Sequence, residues 1–162
     1  MQDEDTRITV ARLDGFLDAA ALVKGPAQQY RYAAYTVSDD GRSVMDVLIE
    51  RYGQESEQSF GQLEIIPDWP TPLGQKLHHI IGCRYDSSLS AQLTVLADSF
   101  LTMILELVDA QRCSEIYQTA LTISETYRHW HGILFILPMT QGFLVIELLQ
   151  LDLKVPSGTG MH

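Results

Sequence analysis

Histidine and cysteine have the widest chemical reach in this 162-residue chain, and they occur as His78-His79, Cys83, Cys113, His129, His131 and His162. In a helix, His79 and Cys83 stand at i, i+4 on one face, a spacing that offers two ligands to one metal ion, although Gly82 falls inside it. His129 and His131 flank Trp130 and would project from the same side of a strand. His79, Cys83, His129 and His131 are therefore the candidate metal ligands. No HExxH, CxxC or clustered carboxylate accompanies them, and histidines at helix ends commonly cap carbonyls or sit half exposed. The expectation is a structural role, with no metal and no cofactor.

Other chemistries have less to stand on. There is no GxSxG elbow, and either cysteine could meet a histidine only through tertiary contacts. The glycines spell neither GxGxxG nor GxxxxGKS, so no dinucleotide or phosphate cradle is indicated. Asp39-Asp40 and the pair Glu55, Glu57 fall in polar turns, where solvation is their expected role rather than acid/base work. Among Trp69, Tyr85, Tyr117, Tyr127 and Trp130, a ligand pocket would draw on Trp69, Tyr127 and Trp130. Core packing is the competing role for such residues. No catalytic residue is assigned.

Charge narrows the partners. Twenty-one Asp and Glu against eleven Lys and Arg give −10, which disfavours nucleic acid and anionic membrane surfaces and suits a protein partner, a basic one included. No two basic residues are adjacent, so no basic patch is visible in sequence. Two cysteines without CxxC spacing read as buried thiols in a reducing compartment, and the acidic start MQDEDTR lacks the pattern of a signal peptide. The run Gly132 to Ile146 is broken by Pro138, Gln141 and Gly142 and closed by Glu147, too short in each half for a membrane span. Cytoplasmic localisation is expected.

These residues must be positioned by elements, and the clearest is Ser88 to Asp109. Its apolar side chains fill an arc of about 200° on a helical wheel, wide enough to need cover on more than one side. Ile116, Ala120, Ile123 and Tyr127 continue a helical period with the face turned by about 130°, so a break near 110–113 and a second helix over 113–127 are expected. Ile133 to Leu149 reads as a hairpin of nearly all-apolar strands around Pro138 to Gly142. Upstream, Gln29 to Val37 and Phe60 to Ile66 read as strands, Ser43 to Tyr52 as a helix with a strand as the alternative, and Leu73 to Ile81 as a short helix after the proline-rich 67–72. Phe16 to Val23 is helix-compatible after a turn at Asp14-Gly15.

The expected fold is α+β: a mostly antiparallel sheet with a C-terminal hairpin (about 133–149) packed on two central helices (about 88–109 and 113–127). One domain over 7–155 lies between a loose acidic tail, 1–6, and a flexible tail, 156–162. The expected function is a non-enzymatic acidic interaction protein of inhibitor, immunity or regulatory type, acting on another protein as a homodimer. A small-molecule sensor and a metal-dependent enzyme are the alternatives.

Overall fold

The computed structural model describes residues 4–25, 29–38, 40–54, 57–82, 90–111 and 115–153. The chain runs α1 (Glu4–Lys24), β1 (Tyr30–Val37), α2 (Val44–Tyr52), β2 (Glu57–Phe60), β3 (Glu64–Ile65), α3 (Pro70–Gly82), α4 (Ser90–Gln111), β4 (Tyr117–Ser124), β5 (Arg128–Met139) and β6 (Gly142–Leu153). All strand pairings are antiparallel, in the order β1-β6-β5-β4-β2 with β3 also on β4. The fold is α+β.

Strand alternation divides the core in two. Phe135 and Leu137 of β5 and Leu144, Ile146 and Leu148 of β6 face a layer made by α1, α3 and α4. Leu134 and Ile136 of β5 and Val145 and Leu149 of β6 face the other way, under Leu48 and Tyr52 of α2. Both faces of the hairpin are covered, which is why Ile133 to Leu149 is apolar but for Glu147 and the turn.

In the helix layer, α4 lies against both α1 and α3. Ala97, Phe100, Met103, Ile104, Leu107 and Val108 are buried along its wide arc, with Leu13 and Leu17 of α1 and Leu73, Leu77 and Ile81 of α3 in the same cluster. The arc is covered on two sides, as its width requires. Ala91–Asp109 is also long and apolar enough to cross a membrane by length and composition.

Several elements depart from the sequence reading. Residues 117–124 form a strand, not the expected helix over 113–127. The stretch satisfies both periods, because Thr119, Leu121 and Ile123 alternate as buried residues on one face. Its β-branched residues and the pairing offered by β5 and β2 settle the competition for the strand. The break does come after Gln111, and the helix face expected to turn by a kink instead passes into the sheet.

At the start of the chain, Glu4, Asp5 and Thr6 belong to α1 rather than to a loose tail, and the acids lie in its first turn, where the helix dipole favours them. Asp14-Gly15 stays helical. An added Cβ at Gly15 would meet nothing within 4 Å, while Asp14 Oδ1 accepts from the Ala34 amide at 2.9 Å on the outer edge of β1. The residue that suggested a turn instead satisfies an edge-strand donor. Residues 43–52 are helical from 44, and Ser43 Oγ accepts from the Asp46 amide at 3.2 Å as the N-cap.

The last hairpin closes on Thr140-Gln141, with Met139 opposite Gly142. Gly142 has φ +98°, a conformation open to glycine at little cost. Pro138 is tolerated inside β5 because β4 pairs only as far as Ile136, so the missing N–H has no partner strand to serve. Asp39, Glu55, Cys83, Tyr85, Cys113 and the tail 156–162 lie outside the described residues.

Candidate functional site

A trough of about 590 Å³ opens where β1 begins, lined by Asp18, Ala21 and Leu22 from α1, Tyr30, Arg31 and Tyr32 from β1, and Arg128 and Trp130 from β5. β1 is an edge strand, so its first residues can contribute from both sides: Tyr30 and Tyr32 lean toward the helix layer, Arg31 toward the α2 face. The Tyr30 and Tyr32 ring centroids are 5.7 Å apart. Lys24 Nζ lies 4.9 Å from the Tyr30 ring centroid and donates to the Ile80 carbonyl near the end of α3, which also accepts from the Tyr32 hydroxyl at 3.4 Å. Two walls of the trough are thus tied to a helix C-terminus, where cations and donors are favoured.

Behind Arg31 stands a buried polar cluster. Glu147 lies on β6 among apolar neighbours and is 2% exposed. Its Oε2 accepts from Arg31 Nε at 3.0 Å, and its Oε1 accepts from the Tyr52 hydroxyl of α2 at 2.5 Å. Tyr52, having donated its proton, is left to accept from the Tyr35 hydroxyl at 2.6 Å. Arg51 covers the Tyr35 ring, with Cζ 3.7 Å from its centroid.

Burial raises the Glu147 carboxyl above the usual carboxylate range, although Arg31 and the Tyr52 hydrogen bond pull it down. The Tyr52 phenol is pushed far above its ordinary range by burial and then by Glu147. Tyr35 rises to about 12, chiefly by burial. Both phenols therefore remain donors at any physiological pH. The cluster holds Arg31, a residue of the trough lining, by its Nε, with the side chain 32% exposed.

The candidate residues from sequence are scattered. Of the aromatic trio, Trp130 lines the trough, whereas Trp69 packs against the helix-layer cluster at the start of α3. Tyr127 is 74% exposed in the turn before β5. The three do not enclose one pocket. His79 is exposed on α3 and Cys83 lies outside the described residues. His129 and His131 do share one side of β5, with ring centroids 6.4 Å apart. Among the described residues no group of three or more His, Cys, Asp or Glu is placed to hold a metal ion.

Among the described residues, His129 and His131 each face a different polar side chain. Ser124 Oγ is 3.1 Å from His129 Nδ1, and Asp152 Oδ2 is 2.8 Å from His131 Nδ1, the latter too far off line for a hydrogen bond. The hydroxyl and the carboxylate thus address different imidazoles, both through Nδ1. Among the described residues, neither histidine is held between a nucleophile and an acid, as a triad requires.

Sequence reasoning did not single out Arg31, Glu147 or Tyr52. A signal existed for Glu147, a lone charge in the otherwise apolar FLVIELL, since a carboxylate enclosed by apolar residues needs a partner. The trough itself joins residues about a hundred positions apart. Comparisons with protein-family models, curated proteins and solved structures give no match to this chain.

Proposed function

We propose that the protein is a non-enzymatic interaction module that binds another protein through the trough at the start of β1. The observation behind this reading is the composition of that surface: Tyr30, Tyr32, Trp130, Arg31 and Arg128 in one concave patch. Aromatic residues and arginine concentrate binding energy at protein interfaces because they bring large rigid surface and forked donors at modest entropy cost. Leu22, 63% exposed, adds an uncovered apolar group to the trough lining. The tie of Arg31 to Glu147 reduces the ordering that binding would otherwise require.

A small-molecule sensor has a trough of suitable volume, since ligand sites span about 300–1,000 Å³. An open trough leaves much of a small ligand in water, however, while a protein segment covers it with its own bulk. The net charge of −10 assists approach of a partner with basic surface. A homodimer remains part of the proposal with its own test, sedimentation at increasing concentration. Within one chain α1 and α3 already cover the wide arc of α4.

The experiment uses wild-type protein and a Leu22→Asp/Arg128→Glu variant, immobilised side by side and exposed to extract of the native host. A protein retained by the wild type and then purified should bind the variant at least tenfold more weakly, while both melt alike. Equal binding to both would exclude the trough as the binding surface.

A further inference from the structure

We infer that His129 and His131 together bind one divalent transition-metal ion, copper(II) above all, through their Nε2 atoms, with water completing its coordination. The inference goes beyond the protein-binding reading and does not rest on it. Residues two apart on a strand project from one face. β5 is paired on both sides at this point, with β4 opposite Ser124 and Thr122 and with β6 opposite Asp152 and Gln150, so the backbone beneath the two imidazoles is fixed. Their ring centroids lie 6.4 Å apart with the planes inclined by 31°.

In each ring the nitrogen nearer the backbone is already engaged. Ser124 Oγ stands 3.1 Å from His129 Nδ1, and as an acceptor there it selects the tautomer that leaves the Nε2 lone pair to a metal. His131 Nδ1 is closed to solvent, 2.8 Å from Asp152 Oδ2, which leaves Nε2 as the remaining donor of a side chain that is 45% exposed. Among the described residues neither Nε2 has a hydrogen-bond partner. The Asp152 carboxylate beside the second ring offsets part of the charge that a divalent ion brings.

Distance and donor type narrow the occupant. An ion about 2.0–2.1 Å from a ring nitrogen lies about 3.2 Å from that ring's centroid, so two rings sharing it at a tetrahedral angle stand about 5 Å apart. The observed spacing closes to this by about 1 Å through rotation of the two part-exposed side chains. Neutral imidazole nitrogen suits copper, nickel and zinc rather than magnesium or calcium, and copper(II) binds most tightly to such donors. The pair on α3 offers no equivalent, because adjacent helical residues point apart and His78 Nε2 already contacts Asp98 at 2.7 Å.

The test titrates copper(II) chloride into untagged protein in a buffer free of metal ligands, followed by calorimetry. His129→Gln and His131→Gln should each weaken the tightest binding at least tenfold, whereas a His78→Gln/His79→Gln variant should bind within twofold of wild type. Urea unfolding of the metal-free variants separates a lost ligand from a lost fold. A second measurement needs no variant: at substoichiometric copper, the imidazole proton resonances of His129 and His131 should broaden before those of the other histidines. Binding unchanged by either single substitution, an equal loss in the His78/His79 variant, or broadening that begins at another histidine overturns the inference.

Discussion

Both faces of the sheet bury an apolar cluster from the same pair of strands, but only the α2 face also encloses a charge. Toward the helix layer, Phe135, Leu137, Leu144, Ile146 and Leu148 are buried in one apolar cluster shared with three helices. Toward α2, the next residue of β6 after Ile146 is Glu147, whose carboxylate is bonded to Arg31 and Tyr52 beneath a helix of nine residues. The first face gains stability by removing area from water, in proportion to what it buries. The second encloses a charge whose desolvation offsets much of its attraction to Arg31, and gains a fixed geometry instead. A cost accepted at one place, directly behind a surface arginine, is the mark of a positioned group rather than of a better-packed core.

The largest effect should come from the apolar face. Phe135→Ala removes a fully buried ring and leaves a cavity in the helix-layer cluster, destabilising by about 3–5 kcal/mol in denaturant unfolding. The opposite face should respond to chemistry rather than volume. Glu147→Ala strands Arg31 and the Tyr52 hydroxyl and should cost about 3 kcal/mol or more in the same measurement. Ile146→Val, one residue earlier on β6 but on the apolar face, should cost only about 1 kcal/mol, in line with the single methylene removed.

The contrast extends to pH. In the folded chain burial holds the Glu147 carboxyl above its ordinary value of 4.5. The folded state therefore keeps this proton to higher pH than the unfolded chain does, so the contribution is greatest at acid pH and declines as pH rises through the folded value. Glu147→Gln cannot ionise and escapes that decline. Wild type should lose stability relative to this variant as pH is raised above about 5, measured by urea unfolding across pH; the reverse trend would mean that Arg31 outweighs burial.

Whether a feature could be read from the sequence depended on whether local pattern or long-range contact decided it. The wide arc of α4 required cover on two sides, and it has it. The hairpin was visible because its apolar runs and the Gly142 turn lie close together in sequence. The stretch 117–124 misled because Ile116, Ala120 and Ile123 fit a helix as well as Thr119, Leu121 and Ile123 fit a strand, and only pairing with β5 chose. Asp14-Gly15 misled for a related reason, since the Asp14 acceptor serves the Ala34 amide, a contact twenty residues away. The trough was the least legible feature. Arg31 and Arg128 are isolated charges in sequence, and only the order β1-β6-β5 brings them together.

A smaller effect should follow at the start of α2, which closes the Glu147 face. Ser43→Ala removes the side chain that accepts from the Asp46 amide and should cost about 1 kcal/mol in thermal or urea unfolding. The smallest stability change is expected at the trough rim, where Leu22→Asp alters an exposed residue and should stay within about 0.5 kcal/mol of wild type. The rim should matter to binding instead.

Recognition through this rim and the arginines behind it can be measured by titrating the captured partner into wild-type protein and into the Leu22→Asp/Arg128→Glu variant of unchanged melting temperature. The expected result is a dissociation constant at least tenfold larger for the variant, a loss of about 1.4 kcal/mol. Equal dissociation constants would place recognition elsewhere on the molecule and contradict the proposal.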